Sequence, residues 1–368
     1  MKYFNRLVWI LFIFAVCRAS GLDRPDYYTA GFYTRGSDEV TYVDQGGVID
    51  PFWIPVGDLV LIPRVTLEVS GDDNYFLNST NETDTTQVRL MPGALLMYGR
   101  PEHNHLYLDT GADIPIDDSV NGKTSLFAKL GGVYQTGKSK INGSAGYRQM
   151  DEGNQLVGRR LRSENLLLNA GAEYRLSMKT SLGAQGYASF NRYDDSDYTD
   201  YHRYYGAGRI HYQLTCKTDL YIQAGGGVDR RDRDQMTNTS DADFQDISIG
   251  MRGKPSPKTS VNGSIGFRFR QHDDPAMDDV NTWIANFGAS VTPFGLSVFG
   301  LELSADGYPD VTGNAGTLMN KRAMFSVNRR LFTERLRGHA AMQFGVLESY
   351  TTGSPDESDY WGYTVGLD

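Results

Sequence analysis

The stretch "NLLLNAGAEYRLSMKTSLGAQGYASF", Asn165 to Phe190, decides the fold. In its first half Leu166, Leu168, Ala170, Ala172, Tyr174 and Leu176 are apolar at every second place. Asn165, Leu167, Asn169, Gly171, Glu173 and Arg175 stand between them. After a short polar phrase the alternation resumes, with Leu182, Ala184, Gly186, Ala188 and Phe190 set against Ser181, Gly183, Gln185, Tyr187 and Ser189. Strand side chains point alternately to opposite faces. The stretch therefore reads as two strands joined by a tight turn, each with one apolar face and one polar or small face.

The turn phrase comes back. Ser177-Met178-Lys179-Thr180 is echoed by Thr215-Cys216-Lys217-Thr218 and by Ser256-Pro257-Lys258-Thr259. The same alternation follows each copy, through Leu220, Ile222, Ala224, Gly226 and Val228, and through Val261, Gly263, Ile265, Phe267 and Phe269. The interval is about forty residues, the length of one hairpin plus one long connection. Such runs exceed the usual globular strand of ~5–6 residues and reach the ~9–11 that a tilted strand needs to cross a bilayer.

Short turns follow Gly99, Gly137, Leu176, Leu214, Gly253, Pro293 and Leu331. Long polar stretches at 70–86, 114–123, 151–163, 192–202, 230–243, 271–281, 306–317 and 348–359 alternate with them. Counting runs gives about sixteen strands. The expected fold is all-β: a transmembrane antiparallel up-and-down barrel, after a cleaved signal peptide. An even count brings both ends to one side, and short turns face the periplasm in bacterial barrels. A soluble propeller also repeats at ~40 residues, but its blades hold four short strands where each repeat here holds two long ones.

Composition agrees. Gly is 41 of 368 residues and Tyr 23, and mean hydropathy is -0.44. Net charge is -9, which disfavours nucleic acid as a partner. "MKYFNRLVWILFIFAVCRASG" reads as a signal peptide, with Lys2 and Arg6 ahead of an apolar run too short to span a bilayer. The expected division is signal peptide 1–21, periplasmic arm or plug 22–56 and barrel 57–368. Cleavage would leave Cys216 alone, so no internal disulfide is expected.

The faces suggest roles. Tyr98, Tyr134, Tyr174 and Tyr212 fall on the apolar parity beside the short turns, as an aromatic girdle demands. Phe190, Tyr204, Phe269 and Trp283 would form the opposite one. The polar parity holds Lys129, Arg148, Arg175, Arg209, Arg252, Arg268 and Arg270, with Glu173, Asp229 and Glu302 against them. That face reads either as lumen ion pairing or as a basic lining for anionic solutes. His103, His105, His202, His211, His272 and His339 show no catalytic spacing. No enzyme, metal or cofactor is expected, and an outer-membrane hydrolase is the least favoured reading. Acidic stretches at 194–200, 232–246, 272–279 and 354–359 lack the calcium-loop pattern and read as solvated loops.

"EVSGDDNYF" followed by "VRLMPGALLMYG" adds a resemblance. Asp73-Asn74-Tyr75-Phe76, then Pro92-Gly93, then the Ser256-Pro257-Lys258-Thr259 turn and its partial copies at 177–180 and 215–218 resemble the outer-membrane β-barrel porin family associated with exopolysaccharide and exosortase loci. The likeness covers roughly 57–368. It implies the outer membrane of a Gram-negative-type bacterium and a role in moving or anchoring extracellular polysaccharide. It carries no catalytic residue. Many such barrels end on an aromatic residue, whereas Asp368 stands last here. The function expected is a porin-like channel for passive or gated transport. The alternative is a structural or anchoring envelope protein with a closed lumen. Expected partners are outer-membrane lipid and lipopolysaccharide, the barrel-insertion machinery and anionic polysaccharide.

Overall fold

In the computed structural model the described residues are 54–367, apart from 73–84, 100–103, 119–122, 155–158, 195–197, 233–240, 275–276, 278, 294–296, 310–316, 332–336 and 351–355. The expected signal peptide, residues 22–53 of the arm and His103 lie outside them. Every regular element among the described residues is a strand. In chain order these are β1 (Ile54–Val56), β2 (Leu59–Asp72), β3 (Thr85–Gly99), β4 (His105–Asp118), β5 (Ser125–Gln135) and β6 (Ser139–Asn154). Then follow β7 (Arg159–Arg175), β8 (Thr180–Tyr193), β9 (Tyr201–Thr215), β10 (Thr218–Arg231), β11 (Ala242–Ser256) and β12 (Thr259–His272). The last are β13 (Val280–Val291), β14 (Ser297–Pro309), β15 (Thr317–Arg330), β16 (Arg337–Tyr350) and β17 (Asp356–Leu367).

From β2 onward each strand pairs antiparallel with the next, and β17 returns to β2, so sixteen strands close into a barrel. The closing seam holds six residue pairs, from Leu67 with Leu367 to Asp72 with Gly362. β6 and β7, by contrast, share sixteen. Below the seam β1 turns back through Gly57, at φ 65°, and covers Leu59 to Leu61 of β2. A left-handed φ is nearly free only for glycine.

Several strands run farther than the alternation suggests. The stretches at 114–123, 151–163, 306–317 and 348–359 were expected as connections. β4 instead reaches Asp118, β6 Asn154 and β14 Pro309, β7 starts at Arg159, β16 reaches Tyr350 and β17 starts at Asp356. At most of these ends neither face is consistently apolar, so the period-two signal fades while the backbone ladder continues; in β4 the outward row runs on through Ile114 and Ile116, with Pro115 between them. The turn expected after Gly253 comes later too. β11 passes a bulge between Gly253 and Ser256 and ends at Ser256.

The recurring phrase is a side-chain-stabilised turn. Ser177 Oγ accepts the N–H of Lys179 at 3.2 Å and of Thr180 at 3.1 Å. Thr215 Oγ1 and Ser256 Oγ accept the N–H of Lys217 and of Lys258, each at 3.2 Å. Thr136-Gly137-Lys138-Ser139 is a fourth copy, with Thr136 Oγ1 accepting the Ser139 N–H at 3.0 Å. A Ser or Thr hydroxyl bonding the backbone two or three residues on is a common turn device. The lysine carbonyls do a second job. Those of Lys138, Lys179, Lys217 and Lys258 accept N–H groups of Arg175, Gln213, Lys254 and Thr292, each on the next hairpin. The turns are thus stitched to one another around the rim.

Outside, the wall is apolar. Leu106, Leu130, Ile210, Ile222, Ile265 and Trp283 are exposed, Trp283 at 65%. So are Tyr98, Tyr134, Tyr174 and Tyr212 near the short turns, with Tyr204 and Phe269 toward the other end. A continuous apolar surface of this extent is not stable in water. On a closed barrel it is the surface that faces lipid, as in barrels of the bacterial outer membrane. The protein is an outer-membrane barrel.

Two outcomes follow. Unboiled protein is expected to migrate faster than boiled protein in detergent gels, and a mainly helical far-UV spectrum would contradict the wall. Cys216 is expected to resist impermeant thiol reagents in intact cells, while Asp194→Cys at the opposite end labels from outside. The reverse pattern would invert the barrel.

Candidate functional site in the barrel lumen

The ladder sets which side chains enter the lumen. Lys129 on β5, Arg148 on β6, Arg175 on β7, Arg209 on β9, Arg252 on β11, and Arg268 and Arg270 on β12 all share the face opposite the exposed apolar rows. They do not form one cluster. Arg175 is exposed at the short-turn rim, Arg148 is half-buried, and Lys129 pairs in register with Asp109. Arg209 donates to Gln223 Oε1 and lies over the Tyr221 ring, 5.2 Å from its centroid.

Arg268 and Arg270 belong to a buried layer toward the long connections. Asp229 is 1% exposed. It accepts from Arg203 Nε at 2.7 Å and Nη2 at 3.0 Å, and lies 2.6 Å from Arg270 Nη1. Arg268 donates to Asp306 and to the Gly307 carbonyl at 3.0 Å, and its Nη2 is 3.7 Å from Asp246. The Tyr205 hydroxyl donates to Asp246 at 3.1 Å and accepts from Gln223 Nε2 at 2.9 Å. Phe244 is packed in their midst. Its ring stacks on Tyr205 with centroids 6.0 Å apart, and the guanidinium carbons of Arg203 and Arg268 lie 5.4 and 4.9 Å from its centroid. Several contacts skip a strand, β10 to β12, β9 to β11 and β12 to β14. The side chains therefore meet inside the barrel and not only along the wall.

Two further groups line it. Near the short turns Arg252 reaches Glu173 at 2.9 Å and Asp219 at 3.3 Å, and Ser181 donates to Glu173 at 2.7 Å. β7 and β11 are not neighbours, so Arg252 spans part of the lumen. On the seam side Arg64 pairs with Asp109, Arg89 with Asp113 at 3.2 Å, and His339 Nε2 lies 3.6 Å from Glu68. Of the acids expected on this face, Glu173 and Asp229 pair as described, and Glu302 accepts from Arg322 at 2.7 Å.

The same alternation held residues that the sequence reading left out. Arg203 and Arg322 stand on the polar parity of their strands, as does Asp246 between Phe244 and Ser248. Asp306 was hidden because it lies in a stretch expected to be a connection. His105 and His211 are buried at inward positions, and His272 Nε2 lies 3.2 Å from Thr317 Oγ1. Among the described residues no three His, Cys, Asp or Glu side chains are grouped as a metal site. In the connection ahead of β9, burial pushes the Asp200 carboxyl above its ordinary range, although the Tyr193 N–H bonds it at 2.8 Å.

Glycine and tyrosine fit one another along this wall. A Cβ at Gly250 would lie 2.3 Å from the Tyr221 ring, and one at Gly345 2.2 Å from the Tyr360 ring. Each tyrosine lies flat across the neighbouring strand where only glycine leaves room.

No protein-family profile matches this sequence, and no curated protein sequence does. Solved structures do. CdiB from Acinetobacter baumannii is 12% identical with a TM-score of 0.42, covering 85% of this chain and 60% of that one. This chain thus spans less than two thirds of CdiB. OmpT of Vibrio cholerae is 10% identical with a TM-score of 0.37, covering 86% and 98%. A bacterial polysaccharide outer membrane secretin is 8% identical with a TM-score of 0.40, covering 85% and 99%. At such values no activity passes from those proteins to this one.

Removing a charge from the buried layer has a defined cost. Asp229→Asn leaves Arg203 and Arg270 without their shared anion. Breaking a buried ion pair costs about 3–5 kcal/mol. The folded gel band is expected to convert to the unfolded position at a distinctly lower temperature than wild type. Arg175→Gln at the exposed rim is expected to leave that temperature unchanged.

Proposed function

We propose that the protein is a channel of the outer membrane, carrying small polar solutes through the barrel. The observation that supports this best is the contrast between its two faces. The outer face is apolar, while the inner face carries charged and hydrogen-bonding side chains from the short turns to the long connections. Barrels of sixteen to eighteen strands enclose an aqueous channel unless plugged. A polar lining without a route for polar solutes would have little use in a wall that already closes on itself.

Charge sets the expected selectivity. Acids offset most of the arginines pairwise, so the residual field is small. Low-dielectric walls focus the field of the arginines that line the lumen. A weak preference for anions follows. The saccharide reading rests on the sequence resemblance alone, and acidic sugars suit the lining better than neutral ones.

A second reading, an anchoring protein with a closed lumen, is favoured by one observation: Arg270, Asp229 and Phe244 are almost completely buried. Planar-bilayer recording separates the two. Reconstituted protein is expected to give discrete conductance steps, with a reversal potential under a salt gradient on the anion side. Arg209→Ser combined with Arg268→Ser is expected to move that potential toward cations. Absence of any conductance would leave the anchoring reading.

A further inference from the structure

The recurring turns hold a residue that the turn itself does not need. In Thr136-Gly137-Lys138-Ser139, Ser177-Met178-Lys179-Thr180, Thr215-Cys216-Lys217-Thr218 and Ser256-Pro257-Lys258-Thr259 the hydroxyl in first place shapes the turn. The residue in third place lends the next hairpin its backbone carbonyl. Any amino acid carries that carbonyl, yet all four copies place lysine there. The second place, by contrast, runs through Gly, Met, Cys and Pro.

Lys138, Lys179, Lys217 and Lys258 are exposed, and none is in an ion pair with a described residue. Lys258 Nζ donates to the Pro293 carbonyl at 3.2 Å, which leaves the ammonium two further N–H groups. None of the four phrases contains an acid, in a chain whose net charge is -9. Successive turns are two strand spacings apart, roughly 10 Å. The rim therefore carries an arc of separate ammonium groups.

Their neighbours are apolar. Tyr174 is level with Ser139, directly after Lys138, and Tyr212 is level with Thr180, directly after Lys179. Beyond these tyrosines the outward rows continue through Leu176 and Leu214, 55% and 56% exposed. The apolar wall thus reaches the turns themselves. Girdle tyrosines stand at the level of the lipid headgroups, so lysines beside them lie among headgroups and not in the water beyond. A cell-wall polymer or an acidic protein, approaching from the water, would have no use for outward leucines at this height.

We propose that this arc, from the β5–β6 turn to the β11–β12 turn, binds acidic phospholipid, with the four ammoniums set against headgroup phosphates of the leaflet on that side. Lysine stems lie along apolar surface while their charges stay at its edge, and basic residues at a membrane surface attract acidic lipid. The inference concerns the outer wall and holds whether or not the lumen conducts.

Native mass spectrometry tests it. Folded protein in neutral detergent is titrated with dioleoylphosphatidylglycerol or with dioleoylphosphatidylcholine, and bound lipids are counted. The acidic lipid is expected to bind about fivefold more tightly. That preference is expected to fade in 1 M ammonium acetate, where charges are screened within ~3 Å. Combined Lys138→Gln, Lys179→Gln, Lys217→Gln and Lys258→Gln keeps every turn hydroxyl and carbonyl, and is expected to bind the two lipids alike. Two double variants, Lys138→Gln with Lys179→Gln and Lys217→Gln with Lys258→Gln, disturb the rim less and are each expected to lower the preference. Four Lys→Arg changes at the same places are expected to retain it, as is Arg192→Gln at the opposite end of the wall. Equal binding of the two lipids by wild type, or a preference that survives the four Lys→Gln changes, would overturn the proposal. Displacement of the lipid by an equal concentration of inorganic phosphate would replace it with a site for a simple anion. Absence of any lipid preference, with cosedimentation on peptidoglycan that the four changes abolish, would hand the arc to the cell wall.

Discussion

Backbone hydrogen bonding in hydrocarbon governs this molecule. An unpaired N–H or C=O costs several kcal/mol where no water can reach it, so a sheet in lipid has to close. Here closure falls to β2, which takes β3 along its whole length on one edge. On the other edge it takes β17 near the long connections and β1 near the short turns. The seam is short, and the small β1 hairpin covers part of what β17 leaves. Along the rim from β5 to β13, the lysine carbonyls of four recurring turns tie each hairpin to the next.

Closure creates a second problem, the filling of the inside. The wall answers it in two chemistries. Tyrosines lie over glycines of the next strand, as at Gly250 and Gly345. Arginines and acids on alternate strands meet over the strand between them, and aromatic rings support the guanidinium planes. A buried pair of this kind specifies geometry more than it adds stability, since desolvation offsets much of the attraction. The lumen is therefore polar but ordered.

That order bears on function. Mobile loop charges are screened within ~8 Å at physiological salt. Arginines fixed by shared acids keep their positions in the lumen. In the layer around Asp229 one acid holds both Arg203 and Arg270, and Arg268 bonds Asp306 and the Gly307 carbonyl. Near the short turns the sharing runs the other way, with two acids, Glu173 and Asp219, on one arginine, Arg252.

The run from Asn165 to Phe190 was sufficient to define strand, face and turn, because side-chain alternation follows from local backbone geometry. Repetition of the Ser/Thr-x-Lys-Thr phrase then fixed the hairpin repeat, and parity placed Lys129, Arg209, Arg252, Arg268 and Arg270 on one face. Local pattern lost its grip where both faces turn polar, so the far ends of β6 and β14 read as loops and Asp306 went unseen. It also held nothing about partners. That Arg270 shares Asp229 with Arg203, that Arg252 reaches Glu173 on a strand 79 positions away, and that β1 joins β2 at the seam depend on closure and on how residues distant in sequence come level with one another. Those contacts are set by the stagger of the whole sheet, a property that no single strand carries.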